Sequence, residues 1–311
     1  MQPDKNTRFV KEEALRLGFD ACGIAVATEL TEDARRLEQW LNNGHQAGMG
    51  WIEKHFDLRI DPRKLVPGAK SVITLLLHYL PEERQAADVP KISKYALGKD
   101  YHEIIRAKLN LFLENIRSEI GQIEGRGFVD SAPVLERTWA VRSGLGWVGK
   151  NGNLLTRHSG SFFFIATLIT DLELRPDAPF STDYCGSCTK CLDACPTGAI
   201  ESPREINANK CISYLTIELK DEFIPSPMSD QMAGWIFGCD ICQDVCPWNR
   251  FSKITREEAF KPLPGILNLS AGDWEEMSEE AFRKIFKESP LKRSKWKGMQ
   301  RNVQAAFLLK R

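Results

Sequence analysis

The apolar positions of the N-terminal half recur with two different periods. Phe9, Val10, Ala14 and Leu17 share one face at helical spacing, which predicts a helix over 7–18. The run ACGIAVA (21–27) predicts a strand. Thr31 is placed to cap a helix running to about Asn42, with Leu37, Trp40 and Leu41 apolar. SVITLLLHYL (71–80) is the longest apolar stretch and predicts a buried strand over 71–79. It falls well short of the roughly 18 apolar residues a membrane helix needs. Ile105, Leu109, Phe112, Ile116 and Ile120 predict a long amphipathic helix over 101–121. RGFVD (126–130) predicts a strand, followed by a turn at Pro133 and a helix. GNLLT (152–156) and SFFFIATLITDLEL (161–174) predict a hairpin across RHSG. Helices and strands are mixed, so the expected class is α+β.

Composition bounds the function only loosely. The 311 residues are 42% hydrophobic and 27% charged, enough for one large or two modest domains. Lys plus Arg and Asp plus Glu number 42 each, so net charge favours no partner. The start, MQPDKNTRFVKEE, has neither a signal-peptide apolar core nor a twin arginine, which predicts a cytoplasmic protein. In that compartment clustered thiols point to metal or catalysis rather than disulfides. No G-x-G-x-x-G follows a strand and no Walker sequence is present, which leaves dinucleotide and P-loop sites unsupported.

The cysteines are far more specific. Cys185, Cys188, Cys191 and Cys195, followed by Pro196, have the spacing of a bacterial two-cluster ferredoxin. A second run gives Cys239, Cys242 and Cys246, then Pro247, and Cys211 supplies its missing first member. In such runs the fourth cysteine reaches the other cluster. The expected ligand sets are therefore Cys185, Cys188, Cys191 and Cys246 for one [4Fe–4S] cluster, and Cys195, Cys211, Cys239 and Cys242 for the other. Structural zinc would use C-x2-C pairs but leaves the x2-x2-x3 spacing and the proline unexplained. Cys22 is left over, in an apolar run, as a small buried hydrophobe.

Three further stretches could carry chemistry. Asp130, at a strand end, suits a general acid if burial raises its pKa; a helix-capping aspartate is the alternative. GWVGKNGN (146–153) offers close backbone approach and amide donors to a polar ligand, or is a plain loop. Asp100 and His102 begin like a D-x-H-x-x-G cobalt-ligand motif, but Ile105 stands where glycine belongs, so His102 is not read as a cobalt ligand.

These stretches together resemble the epoxyqueuosine reductase family, the iron–sulfur and cobalamin enzymes of queuosine tRNA modification. The resemblance rests on LRIDPRKLVPGAKSVI (58–73), KYALGKDYH (94–102), VDSAPVLERTWAVRSGLGWVGKNGNLL (129–155), both cysteine runs and CISYLTIE (211–218). It implies a nitroreductase-like cobalamin-binding domain over 1–174, a ferredoxin-like module with two [4Fe–4S] clusters over 175–255, and a short helical basic segment over 256–311. It implies base-off cobalamin without a protein histidine on cobalt, and Asp130 as proton donor to the opening epoxide. It also implies corrin contacts from Arg59, Tyr95, Ala96, Asp130, Lys150, Asn151 and Asn153, with Ser213 and Asp240 on the cluster side. The partners implied are a tRNA carrying epoxyqueuosine and an unidentified electron donor, with no membrane and a monomeric chain.

A tRNA substrate calls for a basic surface. Lys292, Arg293, Lys295, Lys297, Arg301, Lys310 and Arg311 occur after position 291 without an acid, with Trp296 among them. A solvated helix face is the plainer reading of the same charges. Many relatives continue into a helical repeat domain, and this chain resembles a short form lacking it. A cobalamin-dependent dehalogenase would share the clusters but usually carries a twin-arginine signal. A ferredoxin-type electron carrier would leave the first 174 residues without a task.

Overall fold

The computed structural model describes residues 2–307. Its centre is a four-stranded antiparallel sheet: β1 (Ala21–Val26), β2 (Ser71–His78), β3 (Gly125–Phe128) and β4 (Phe163–Thr170), in the order β1-β2-β4-β3. Every residue of β2 is buried, because the strand is central and both of its faces are covered. Ile73, Leu75 and Leu77 face one core and Val72 the other, as the two-residue period of a strand requires. Helix α1 (Gln2–Arg16) and the long α3 (Tyr101–Ile120) cover the first face through Val10, Ala14, Ile105, Leu109, Phe112 and Ile116. The second face takes Leu30, which precedes α2 (Thr31–Asn42), and Trp139 of α4 (Glu136–Arg142).

Two local expectations are corrected. Leu30, not Thr31, is the cap residue of α2, and it makes no side-chain cap bond. The hairpin is also different: Leu154–Leu155 pairs with Trp147–Val148, while a single Thr156–Gly160 bridge spans RHSG. Strand β4 already has β2 and β3 on its two edges, so no edge is left for residues 152–156. The loop between Val148 and Leu154 closes tightly through Gly152 at φ 76°.

A second core forms from Ile212 and Leu215 of α6 (Ile212–Ile217), the strand Trp235–Phe237, and Met299, Val303 and Ala306 of the last helix, α8 (Lys295–Ala306). It also draws in Ile92, Ala96 and Leu97 from the N-terminal part, and Lys91–Ile92 pairs with Trp235–Phe237. The two bodies are thus interleaved, with Tyr95 packed against both cores. Between them lie the cysteine runs, each with a short helix: α5 (Lys190–Ala194) and α7 (Ile241–Asp244). No described helix is long and apolar enough to cross a membrane.

Candidate functional site

The N-terminus of α3 builds one half of the site. Asp100 caps the helix, with Oδ1 accepting from the His102 backbone amide at 3.1 Å and lying 2.8 Å from His102 Nδ1. Tyr101 Oη donates to Asp130 Oδ2 at 2.6 Å, and His102 Nε2 stands 3.3 Å from the same oxygen. Lys292 Nζ reaches Asp100 Oδ2 at 2.8 Å. The result is a chain of contacts from Lys292 through Asp100 and His102 to Asp130.

Asp130 sits just after β3 with φ at 54°, a conformation few non-glycine residues adopt. Its amide donates to Glu136 Oε1 at 2.8 Å, and Arg106 donates to the Ser131 hydroxyl at 2.9 Å. Asp130 is therefore no helix cap; Leu135 occupies that place before α4.

The electrostatics revise the expected proton location. Burial pushes the Asp130 carboxyl up, but hydrogen bonds from His102 and Tyr101 push it down further. With 63% of its side chain exposed, the net depression is the direction that holds. Burial alone would lower His102, yet hydrogen bonds to Asp100 and Asp130 raise it to about 9. Glu136 is raised to about 8 by burial and by the charge of Asp130. At neutral pH the protons thus rest on His102 and Glu136 while Asp130 is a carboxylate. The condition set for Asp130 to rest as an acid, a pKa raised by burial, is therefore not met.

The thiols gather in two sets. Cys185, Cys188, Cys191 and Cys246 line one partly open cavity, together with Tyr184 and Trp248. Burial raises the thiols of Cys239 and Cys242, and charges on Cys211 and Cys195 raise both further. Among the described residues, no three His, Cys, Asp or Glu side chains converge on one point. The first four thiols surround a space instead, which fits a cubane better than a single zinc ion. Backbone amides aim at the sulfurs: Ser213 and Tyr214 at Cys211, Ile241 at Cys239, Trp248 and Asn249 at Cys246. Such N–H groups stabilise cluster thiolates.

Other expected site residues divide by what already holds them. Arg59 is buried, with Nε donating to the Ile52 carbonyl and its guanidinium 5.4 Å from the Trp51 ring centre, and no carboxylate among the described residues pairs with it. Tyr95 is half-buried, with its ring 6.0 Å from Tyr101. Asn153 and Ser213 are half-buried and their side chains have no protein partner among the described residues. Lys150 Nζ donates to the Gly186 carbonyl at 2.7 Å, and Asn151 Nδ2 to the Cys242 carbonyl at 3.2 Å. The glycine-rich loop therefore fastens both cysteine runs to the sheet domain.

Three expectations fail on burial. Ala96 has no exposed surface and belongs to the second core. Asp240 is 1% exposed and is gripped by Ser93 Oγ, the Lys94 amide and Lys94 Nζ. Arg301 is buried, donating to the carbonyls of Leu215, Leu219 and Asp221, so it offers nothing to a phosphate. Of the remaining basic residues, Arg293 makes a bidentate pair with Glu218, and Lys292 is bound to Asp100. Trp296 donates to the Met277 carbonyl. Lys295 and Lys297 are exposed. Lys310 and Arg311 lie outside the described residues. Tyr101, His102 and Glu136 were not among the expected site residues; Tyr101 and His102 showed in the sequence only as neighbours at a helix start, and Glu136 only by its nearness to Asp130.

Comparison with known proteins decides the family. Residues 59–131 match the model described as epoxyqueuosine reductase QueG, DUF1730, and residues 184–249 match a 4Fe-4S double cluster binding domain. An epoxyqueuosine reductase of Cyclobacterium marinum is 56% identical, over 96% of each chain. The chain belongs to the epoxyqueuosine reductase family. The Escherichia coli member is 41% identical over 96% of this chain and 79% of its own. An epoxyqueuosine reductase crystallised with an epoxyqueuosine-modified tRNA-Tyr stem loop superposes with a TM-score of 0.88, at 32% identity, over 97% of this chain and 80% of that one. A Bacillus subtilis structure, with a TM-score of 0.87 at 31% identity over 97% of this chain and 81% of that one, has its catalytic aspartate loop swung out of the active site.

Proposed function

We propose that the protein reduces epoxyqueuosine to queuosine at the tRNA wobble position, with Asp130 delivering protons held in reserve by His102. Both C–O bonds of the epoxide break, a C=C bond forms, and the oxygen leaves as water. The change consumes two electrons and two protons. The shared contact of Tyr101 and His102 with Asp130 Oδ2 carries this reading. Asp130 is open to solvent and so to substrate, while its proton source is hydrogen-bonded behind it. An alkoxide is a very poor leaving group, so a positioned acid is worth a factor of about 10² to 10⁴.

His102 gives its Nε2 proton to the Asp130 carboxylate, and the carboxylic acid so formed gives that proton to the epoxide oxygen; His102 then regains a proton from solvent for the second transfer. Asp100 stabilises the imidazolium through Nδ1, and Lys292 neutralises Asp100. Tyr101 fixes the carboxylate orientation. Glu136 holds the Asp130 amide and so keeps the loop turned inward. The single-electron steps belong to the two clusters, with the ligand sets given above.

Cobalamin is the remaining part of this reading. Arg59 supports it: a buried guanidinium without a counter-charge suits the phosphate or amide oxygens of that cofactor. Arg59, Asn153 and Ser213 would hold it, beside Tyr95. When bound, a reduced cobalamin supplies a strong nucleophile or one-electron donor to the epoxide carbon. Both ring nitrogens of His102 are engaged by carboxylates, which supports the reading that this histidine would not be a cobalt ligand. The first body is read as nitroreductase-like, and Lys295 and Lys297 as phosphate contacts for the tRNA.

The test is anaerobic turnover of protein reconstituted with iron, sulfide and cobalamin on an epoxyqueuosine stem-loop. Cobalamin-dependent loss of one oxygen, seen by mass spectrometry, is the expected result. A loaded protein that binds the stem-loop and converts none of it would overturn the reading.

A further inference from the structure

The first cysteine set opens onto a face that the deoxygenation chemistry leaves unused. Lys150, Lys190, Tyr184 and Trp248 line its cavity. The aromatic rings continue outward, with Tyr184 5.8 Å from Trp248 and Trp248 5.9 Å from Phe251. Arg157 lies 5.1 Å over the Tyr184 ring and Arg250 4.5 Å over the Phe251 ring. Lys190, Arg157, Arg250 and Phe251 are exposed.

None of these four cations has a carboxylate partner among the described residues. Of the acids in the same segments, Asp183 pairs with Arg204 and Asp244 with Lys94, while Asp193 accepts from the Thr189 hydroxyl and keeps its charge beside Lys190, which leaves Lys150, Arg157 and Arg250 as the unopposed cations. In a chain with no net charge, an unneutralised ring of cations round an aromatic centre is a feature of recognition.

The two cysteine sets differ in what they face. Cys239, of the second set, packs against the core that contains Tyr95, and Tyr95 leads to Tyr101 and Asp130. The first set meets the basic aromatic face instead. Electrons have to enter from outside, one at a time, because a cubane accepts one.

We propose that this face docks an acidic one-electron carrier protein, one whose flavin or iron–sulfur centre is ringed by carboxylates. The carrier loses one electron and the first cluster gains it; two such encounters serve one epoxide, and no proton or group moves at the interface. Arg157 and Arg250 supply the charge complementarity, and Phe251 with Trp248 the apolar centre next to the cluster. A tRNA is also an anion, but its wobble nucleotide must reach Asp130, which lies beyond the second set. The proposal rests on the two-cluster reading and on the function proposed above.

The test is stopped-flow reduction of the full, cluster-reconstituted chain by a purified acidic flavodoxin poised as its hydroquinone. Bleaching of the cluster absorbance reports the rate. The rate should fall steeply as salt rises. The double variant Arg157→Glu, Arg250→Glu should lower it about tenfold or more at low salt. A small viologen radical should reduce both proteins alike. The neutral pair Arg157→Gln, Arg250→Gln should give an intermediate rate, and carries the test if the reversed pair fails to load clusters. Equal flavodoxin rates in variant and parent, or equal slowing with the viologen, would overturn the proposal. So would weaker stem-loop binding by the double variant with unchanged flavodoxin kinetics, which would assign the face to tRNA. Absence of cluster absorbance in the parent would sink the cluster reading itself, and is seen before any kinetics begin.

Discussion

His102 Nε2 stands 3.3 Å from Asp130 Oδ2, on the oxygen that Tyr101 already holds at 2.6 Å. One carboxylate oxygen thus meets a proton store and an orienting phenol, leaving the other for substrate. Replacing Asp130 by Asn keeps the shape and removes the proton transfer. Turnover should fall by about 10² to 10⁴ while cluster and cobalamin loading stay intact. Full turnover by a loaded Asp130→Asn protein would remove Asp130 from the mechanism.

The His102 pKa sets an alkaline limit. The group is raised from its ordinary 6.5 to about 9 in the folded chain. Its protonated contacts stabilise fully below the unfolded value and are lost as pH rises through about 9. Activity should therefore decline through the same range. His102→Gln should lower the rate and abolish that limb while leaving cobalamin affinity unchanged. An unaltered alkaline limb in His102→Gln would assign it to another group.

Cysteine exchange between the runs makes a separate prediction. Cys246→Ser should damage the cluster of Cys185, Cys188 and Cys191, leaving about four of eight irons. Electron paramagnetic resonance of the reduced variant reports which cluster survives. Selective loss of the Cys239 and Cys242 cluster would overturn the exchange.

Arg301 and Lys297 lie on one helix and should behave oppositely. Arg301→Ala strips three buried carbonyls of a charged donor and should cost about 2–4 kcal/mol of stability in denaturant titration. Lys297→Ala should leave stability unchanged, weaken stem-loop binding and shrink its salt dependence by about one unit of slope. Equal effects of the two on binding would restore Arg301 as a phosphate contact.

What could be read from the sequence was local. The cluster spacings lie within short runs, and β2 shows as eight buried residues in a row. Asp130 was visible as a carboxylate at a strand end. Its partner Tyr101 lies 29 positions away, and no local pattern reports such a contact. The proton location was missed for the same reason: a depressed Asp130 and a raised His102 follow from their meeting in space. Arg301 shows the limit of counting charges. A guanidinium has five donors, and buried carbonyls can satisfy them as well as phosphate can. The hairpin failed because pairing depends on which sheet edges remain free, and that is settled by distant strands.

The interleaving of the two cores joins their stabilities. Asp240, beside Cys239, is held by Ser93 and Lys94, and the next residue, Tyr95, packs against both cores and neighbours Tyr101. Neither body can unfold without stripping packing from the other, so heating should melt both in one transition rather than two.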